Sequence, residues 1–191
     1  MNDGLFRDDI EKALEVLHAG GTLLYPTDTI WGLGCDATNT AAAEKIFQLK
    51  NRPAQKSFVV LIADERDILK YTASPDLAIF DYLENCIKPT TVIYEHALGL
   101  AENITAADGS VAIRICKDEF CRHLIKRFRK PIISTSANTS GMPAPANFYE
   151  VEERIKSGVD YVVKYRQQEI IKNVPSAIIK WQNGSPLIIR E

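Results

Sequence analysis

Histidine and cysteine are scarce, with three and four residues among 191. The cysteines stand at positions 35, 86, 116 and 121. Cys116 and Cys121 have a C-x4-C spacing with no second pair, and even with His123 nearby they fall short of the four paired ligands of a structural zinc site. They read instead as buried free thiols of a reducing compartment. His18 and His123 fall on helical patterns and His96 in a long loop, so none joins a catalytic triad. A Walker-type phosphate loop, GxGxxG, GxSxG and the zinc-protease motif are all missing. This excludes the common routes to covalent catalysis and leaves positioning and charge neutralisation as the source of any rate. No sign of charge dominates: 23 Lys and Arg face 25 Asp and Glu, for a formal net charge of -2. There is thus no global pull toward nucleic acid or an anionic membrane, and polyanion binding needs local segregation of charge. No run reaches membrane-spanning length, and the acidic stretch from Met1 to Asp9 has no signal-type apolar core. The expected location is the cytosol. No repeat, low-complexity tract or linker divides the chain, and 191 residues suit one domain with a substantial core.

Ile10, Ala13, Leu14 and Leu17 recur with helical period until Gly20-Gly21 stops them. Thr22 to Tyr25 reads as a strand held extended by Pro26. Thr40 is a candidate cap for a helix over Ala41 to Lys50. Phe58 to Ile62 is a continuous apolar run, the pattern of a strand buried on both faces. A helix over Asp76 to Cys86 and a strand over Thr91 to Tyr94 follow. Glu95 to Ser110 has no clear period, and a loop of that length is often functional, for instance a lid. Beyond it come strand Val111 to Ile115, helix Asp118 to Phe128, strand Pro131 to Ser134, helix Asn147 to Lys156 and strand Tyr161 to Val163. Two apolar runs, Ala177 to Ile179 and Leu187 to Ile189, complete the pattern. Strands separated by helices imply an α/β domain around a twisted, largely parallel or mixed sheet.

Four constellations carry chemistry. In Tyr25-Pro26-Thr27-Asp28-Thr29, the two threonines share a side and flank a carboxylate, a set able to hold the amine and hydroxyl of a small amphoteric ligand; a self-satisfied tight turn would use the same residues. Gly32 and Gly34 would let a ligand approach the backbone. Lys50 and Arg52 end a helix, where cations complement its dipole, yet with Lys56 they put three cations within seven residues, enough for a polyphosphate clamp. Ser134-Thr135-Ser136-Ala137-Asn138-Thr139-Ser140-Gly141 leaves a strand with more hydrogen-bonding side chains than a turn needs, which suits phosphate oxygens. Arg114 interrupts the apolar strand Val111-Ala112-Ile113-Arg114-Ile115; it must meet an internal carboxylate or face an anionic ligand. The basic run Arg122 to Lys130 reads as the solvated face of a helix whose apolar stripe is Phe120, Leu124 and Phe128.

From about Gly20 to Arg190 the chain resembles the threonylcarbamoyl-AMP synthase (YrdC-like) family in its short single-domain form. The motifs that carry this are Tyr25-Pro-Thr-Asp-Thr, Lys50-x-Arg52-Pro53, Val111-Ala-Ile-Arg114 and Ser134-Thr-Ser-Ala-Asn138 with Ser140-Gly141. The resemblance implies a twisted α/β sheet with a concave electropositive cleft. It implies a nucleotidyltransferase that makes threonylcarbamoyl-AMP and pyrophosphate from L-threonine, bicarbonate and ATP. Magnesium would accompany the ATP, held by phosphates and water, and a downstream threonylcarbamoyl-transfer complex would use the product on tRNA. Thr29 and Arg114 then look like threonine-binding residues. Lys50 and Arg52, with Lys56 beside them, resemble the basic pair at the triphosphate and the catalytic cations. Ser136, Asn138, Ser176 and Arg190 match nucleotide-binding positions. The chain departs from the family at Leu61, where many archaeal and eukaryotic members carry histidine, at Ala144 and Ala146, over Ile87 to Thr91, and in the glycine-poor stretch Arg166 to Asn173. The other readings are an RNA-binding module of the same fold, since a concave basic face also fits an A-form backbone, and a paralogue with a different activity. That branch tends to lose the Lys-x-Arg and Ser-Ala-Asn residues kept here.

Overall fold

A computed structural model describes residues 4–52, 58–170 and 174–191. Helix α1 (Arg7–His18) buries Ile10, Ala13 and Leu17 along one stripe. It ends in a Schellman turn: Gly20, at φ +71°, donates to the Leu17 carbonyl, and Gly21 donates to Val16. Strand β1 (Leu23–Tyr25) turns back through the Pro26–Trp31 connection into β2 (Gly32–Gly34), a buried strand that the sequence pattern does not mark. Helix α2 (Thr40–Lys50) is capped by Asn39, one residue earlier than expected, whose side chain accepts from the Ala42 N–H at 3.0 Å. Strand β3 (Val59–Ile62), short helices α3 (Ile68–Tyr71) and α4 (Ala78–Glu84), and strands β4 (Thr90–Tyr94) and β5 (Val111–Ile115) follow. Then come α5 (Glu119–Phe128), capped by Asp118, and β6 (Ile132–Ser136). The expected helix over 147–156 is split into a 3-10 turn at Phe148–Glu150 and α6 (Glu153–Gly158). Strands β7 (Tyr161–Val162), β8 (Ala177–Gln182) and β9 (Ser185–Arg190) complete the elements.

The nine strands form one mixed sheet in the order β7-β1-β2-β6-β3-β5-β4-β8-β9. Parallel pairing is confined to β1 with β7, β3 with β5 and β4 with β8; the other five pairings are antiparallel. Of the two arrangements expected, largely parallel or mixed, the sheet takes the mixed one. The reason lies in the connections: a parallel return needs a long crossover, and neither β1 to β2 nor β8 to β9 has one. The latter pair is a hairpin closed by Asn183-Gly184, both at positive φ, a tight-turn signal in plain sight in the sequence.

Side chains alternate across this sheet and divide the core in two. Leu24, Leu33, Val60, Val92, Ile113, Ile133 and Ile179 face α2, α3, α4 and α6. On the opposite face α1 and α5 cover only Leu23, Tyr25, Leu61 and Ile132 with their neighbours. The rest of that face, carrying Ala112, Arg114, Ser134 and Ile178, is left uncovered and becomes the floor of a cleft. The 95–110 segment is stitched to the body by Ala73 to His96, Leu98 to Tyr71 and Ala101 to Ala37 backbone bonds, with Ile104 fully buried. It lends Ala106 and Ser110 to the cleft as a fixed wall.

One buried carboxylate locks α1 to the strand edge. Asp9 accepts from the Tyr161 hydroxyl at 2.6 Å and from the Lys164 and Tyr165 N–H groups at 3.0 and 2.8 Å. Asp9→Ala strands all three donors and is expected to cost about 3 kcal/mol, or about 10 °C in Tm by calorimetry. The expected free thiols are found: Cys35, Cys116 and Cys121 are buried and Cys86 is half-buried. Among the described residues no helix is long and apolar enough to cross a membrane, and no cluster of three or more His, Cys, Asp or Glu is placed to hold a metal ion.

Candidate active site

The uncovered part of the sheet opens into a cavity of about 510 Å³. Seven of the nine residues expected at the site line it: Thr29, Arg52, Arg114, Ser136, Asn138, Ser176 and Arg190. They come from stretches spread over 160 residues of chain, and the sheet order is what unites them. Register sets Gly32 beside Ser136, Val59 beside both Ala112 and Ser134, and Ile178 beside Arg190. Among the described residues the lining has three arginines and no carboxylate.

Arg114 meets both alternatives read from the sequence. It is 4 % exposed, and its Nη2 lies 3.1 Å from Oδ1 of Asp28, an internal carboxylate. The alignment is too poor for a hydrogen bond, so Nε and Nη2 of Arg114 and Oδ1 of Asp28 are buried without a hydrogen-bond partner. A buried guanidinium with unspent donors at a cavity wall is built to receive an anion. Thr27 and Thr29 do share a side, Oγ1 to Oγ1 at 3.0 Å. Thr27 is absorbed by its own turn, accepting from the Thr29 N–H and donating to the Ile30 carbonyl, while Thr29 reaches the cavity. The turn and the site are one object.

Lys50 and Arg52 part company at the end of α2. Asn51 adopts a left-handed conformation (φ 49°), and the Arg52 N–H closes on the Phe47 carbonyl. This swings Arg52 into the cavity, its guanidinium 5.1 Å from the centre of the Phe58 ring. Lys50 turns inward and is 1 % exposed; its ammonium donates to the Ser136 carbonyl and to the Asn138 carbonyl at 2.5 Å. Lys50 is absent from the cavity lining and pins the loop that carries Ser136 and Asn138. Burial, aided by Arg52 and opposed by Glu152, lowers its pKa to about 7. Lys56 lies outside the described residues.

The Asn138 side chain donates to the Thr139 and Met142 carbonyls at 3.0 and 2.6 Å, leaving its Oδ1 buried and unpartnered. Glu152 holds the same loop from behind, accepting from the Thr139 N–H and hydroxyl. Ser176 pairs its hydroxyl with Thr91 at 2.8 Å, and its carbonyl accepts from Nε and Nη2 of Arg190. A register shift between Ile178 and Ile179 accompanies this and brings both Ile189 and Arg190 to the cavity. Burial first, and then the nearby charge of Arg114, lower the Arg190 pKa, so these two cations sense each other across the cleft.

Sequence reasoning missed Phe58 beneath Arg52, the pairing of Asp28 with Arg114, and the contribution of Ser110. The small Ala112, two residues before Arg114 on the same strand face, is a local sign of an uncovered surface. Leu61, beside Arg114 in register, is sealed under α1 and α5.

A family model named Sua5/YciO/YrdC and described as telomere recombination matches residues 15–191. The chain belongs to this family. Among Sua5/YciO/YrdC relatives, the threonylcarbamoyl-AMP synthase of Hahella chejuensis is 33% identical over 179 residues, covering 93% of this chain and 96% of that protein. P. abyssi Sua5 complexed with L-threonine superposes with a TM-score of 0.85 at 25% identity. That match covers 95% of this chain and 53% of Sua5, so the chain spans about half of that longer protein. E. coli YciO gives a TM-score of 0.82 at 21% identity over 97% of this chain and 89% of its own, a likeness of fold alone.

Proposed function

We propose that this Sua5/YciO/YrdC protein is an L-threonylcarbamoyladenylate synthase, a nucleotidyltransferase that joins L-threonine, bicarbonate and ATP and releases pyrophosphate. The observation that carries the reading is the meeting of Arg52, Arg114 and Arg190 in one carboxylate-free cavity beside Thr29, Ser136, Asn138 and Ser176. Bicarbonate gives up hydroxide to become carbon dioxide, and the neutral threonine amine adds to it and loses a proton, so that a carbamate and water result. A carbamate oxygen attacks the α-phosphorus, and pyrophosphate leaves with the electron pair of the broken P–O bond. Both reactants are anions, so the barrier contains a repulsion that only fixed positive groups remove. Arg114 takes the amino acid's carboxylate, and Thr29 its hydroxyl side. Arg52 and Arg190 face the phosphates, where planar guanidinium groups make paired contacts. Ser136, Asn138 and Ser176 supply neutral hydrogen bonds to the nucleotide. The hydroxyl and amide donors of the lining fit MgATP as substrate, the metal travelling with the phosphates and water. The product feeds a threonylcarbamoyl-transfer step on tRNA.

The relative solved with L-threonine supports the amino-acid half of this reading. The test is pyrophosphate release by the purified protein, with mass detection of the adenylate. Release is expected only when L-threonine, bicarbonate and MgATP are all present. Folded protein that releases none under those conditions overturns the proposal.

A further inference from the structure

The Asp28–Arg114 pair has an unusual geometry. Both side chains are nearly sealed, 11% and 5% exposed, and their closest atoms are 3.1 Å apart, yet no hydrogen bond joins them. Asp28 is fixed from behind instead: its Oδ2 accepts from the Lys117 backbone N–H at 3.1 Å, just past the end of β5. Asp28 is absent from the cavity lining, whereas Arg114 is on it. A carboxylate inside the cleft would repel a carbamate and a triphosphate alike. Set off the cavity lining, it attracts the guanidinium at Nη2 without forming a hydrogen bond, so charge rather than a directed bond holds the group at the wall.

We infer that Asp28 is a positioning residue for substrate selection: anchored on the Lys117 N–H, it holds the Arg114 guanidinium at the cavity wall for the carboxylate of an α-amino acid. This rests on the proposed synthase reading and assigns a role to a residue outside the cavity. It predicts that Asp28 governs the preference for a substrate carboxylate rather than nucleotide binding or turnover in general.

Asp28→Asn keeps shape and the acceptor for Lys117 while removing the charge. The experiment compares kcat/KM for L-threonine with that for L-threonine amide, whose carboxylate is neutralised, alongside calorimetric binding of L-threonine and the KM for ATP. In the variant the acid-to-amide ratio is expected to fall about tenfold or more, through a raised KM for L-threonine. The ATP KM should stay within about twofold, the shift expected where no nucleotide contact changes. A merely structural loss would lower acid and amide rates together and move the ATP KM as well. An unchanged ratio, or equal losses for both substrates, overturns the inference. Should the Asn variant fail to fold, Asp28→Glu decides: with the charge kept, its ratio must stay nearer wild type than that of Arg114→Lys, and the reverse order overturns the inference. Wild-type protein that neither binds L-threonine nor releases pyrophosphate overturns both this role and the synthase reading. Wild type that does both, beside an Asn variant of equal selectivity, overturns this role alone.

Discussion

Arg114→Ala is expected to lower threonine-dependent pyrophosphate release by about two to three orders of magnitude, the scale seen when a preorganised donor at a developing charge is removed. It should also lower stability by about 3 kcal/mol, because Asp28 keeps its charge in a buried site with no cation beside it. The two losses have separate causes and can be separated. In the double variant Asp28→Ala/Arg114→Ala the stranded charge is gone, so Tm should recover by several degrees while activity stays at the single-variant level. Calorimetric melting with steady-state kinetics on the two variants checks this. Recovery of activity along with Tm would mean that Arg114 serves the fold and not the substrate.

The second large effect divides two residues that share one motif. Lys50→Met should cost about 3 kcal/mol, since the Ser136 and Asn138 carbonyls lose their buried donor. Its KM for ATP should rise as the loop relaxes. Arg52→Ala should lose about a hundredfold in kcat/KM with little change in Tm, because Arg52 is half-buried at the cavity wall. Lys50 carries a pH signature besides. Folding depresses its pKa from the ordinary lysine value to about 7. Between those two values the unfolded chain holds a proton that the folded chain has released, so this residue makes stability rise with pH. Below about 7 both states are protonated and its penalty is full. The melting difference between wild type and Lys50→Met, followed from pH 7 to pH 10, should therefore grow in favour of wild type; a shrinking difference would contradict the burial of this lysine.

Helix and strand positions were legible wherever periodicity was unbroken. The stripe Ile10, Ala13, Leu17 marked α1, and the apolar run Phe58 to Ile62 marked β3. Strand direction was not, because it depends on how short connections return, and local pattern does not carry that. Gly32–Gly34 was hidden for a different reason. Gly34 sits so close to Ile133 and Tyr25 that an added Cβ would lie 2.3 Å from the Ile133 carbonyl oxygen. The glycines read as a backbone approach for a ligand are strand residues packed closely against β6. At the site, residue types were informative but side-chain destinations were not. Lys50 and Arg52 look equivalent in sequence, and only the left-handed Asn51 between them sends one inward and the other to the cleft. Likewise the Asp28 carboxylate was visible, but its partner lies 86 residues away on another strand.

Strand β9 follows β8 through a two-residue turn and carries Arg190 onto the Ser176 carbonyl at the rim of the cleft. A nascent chain on the ribosome therefore has an incomplete binding wall until residue 190 has emerged from the exit tunnel.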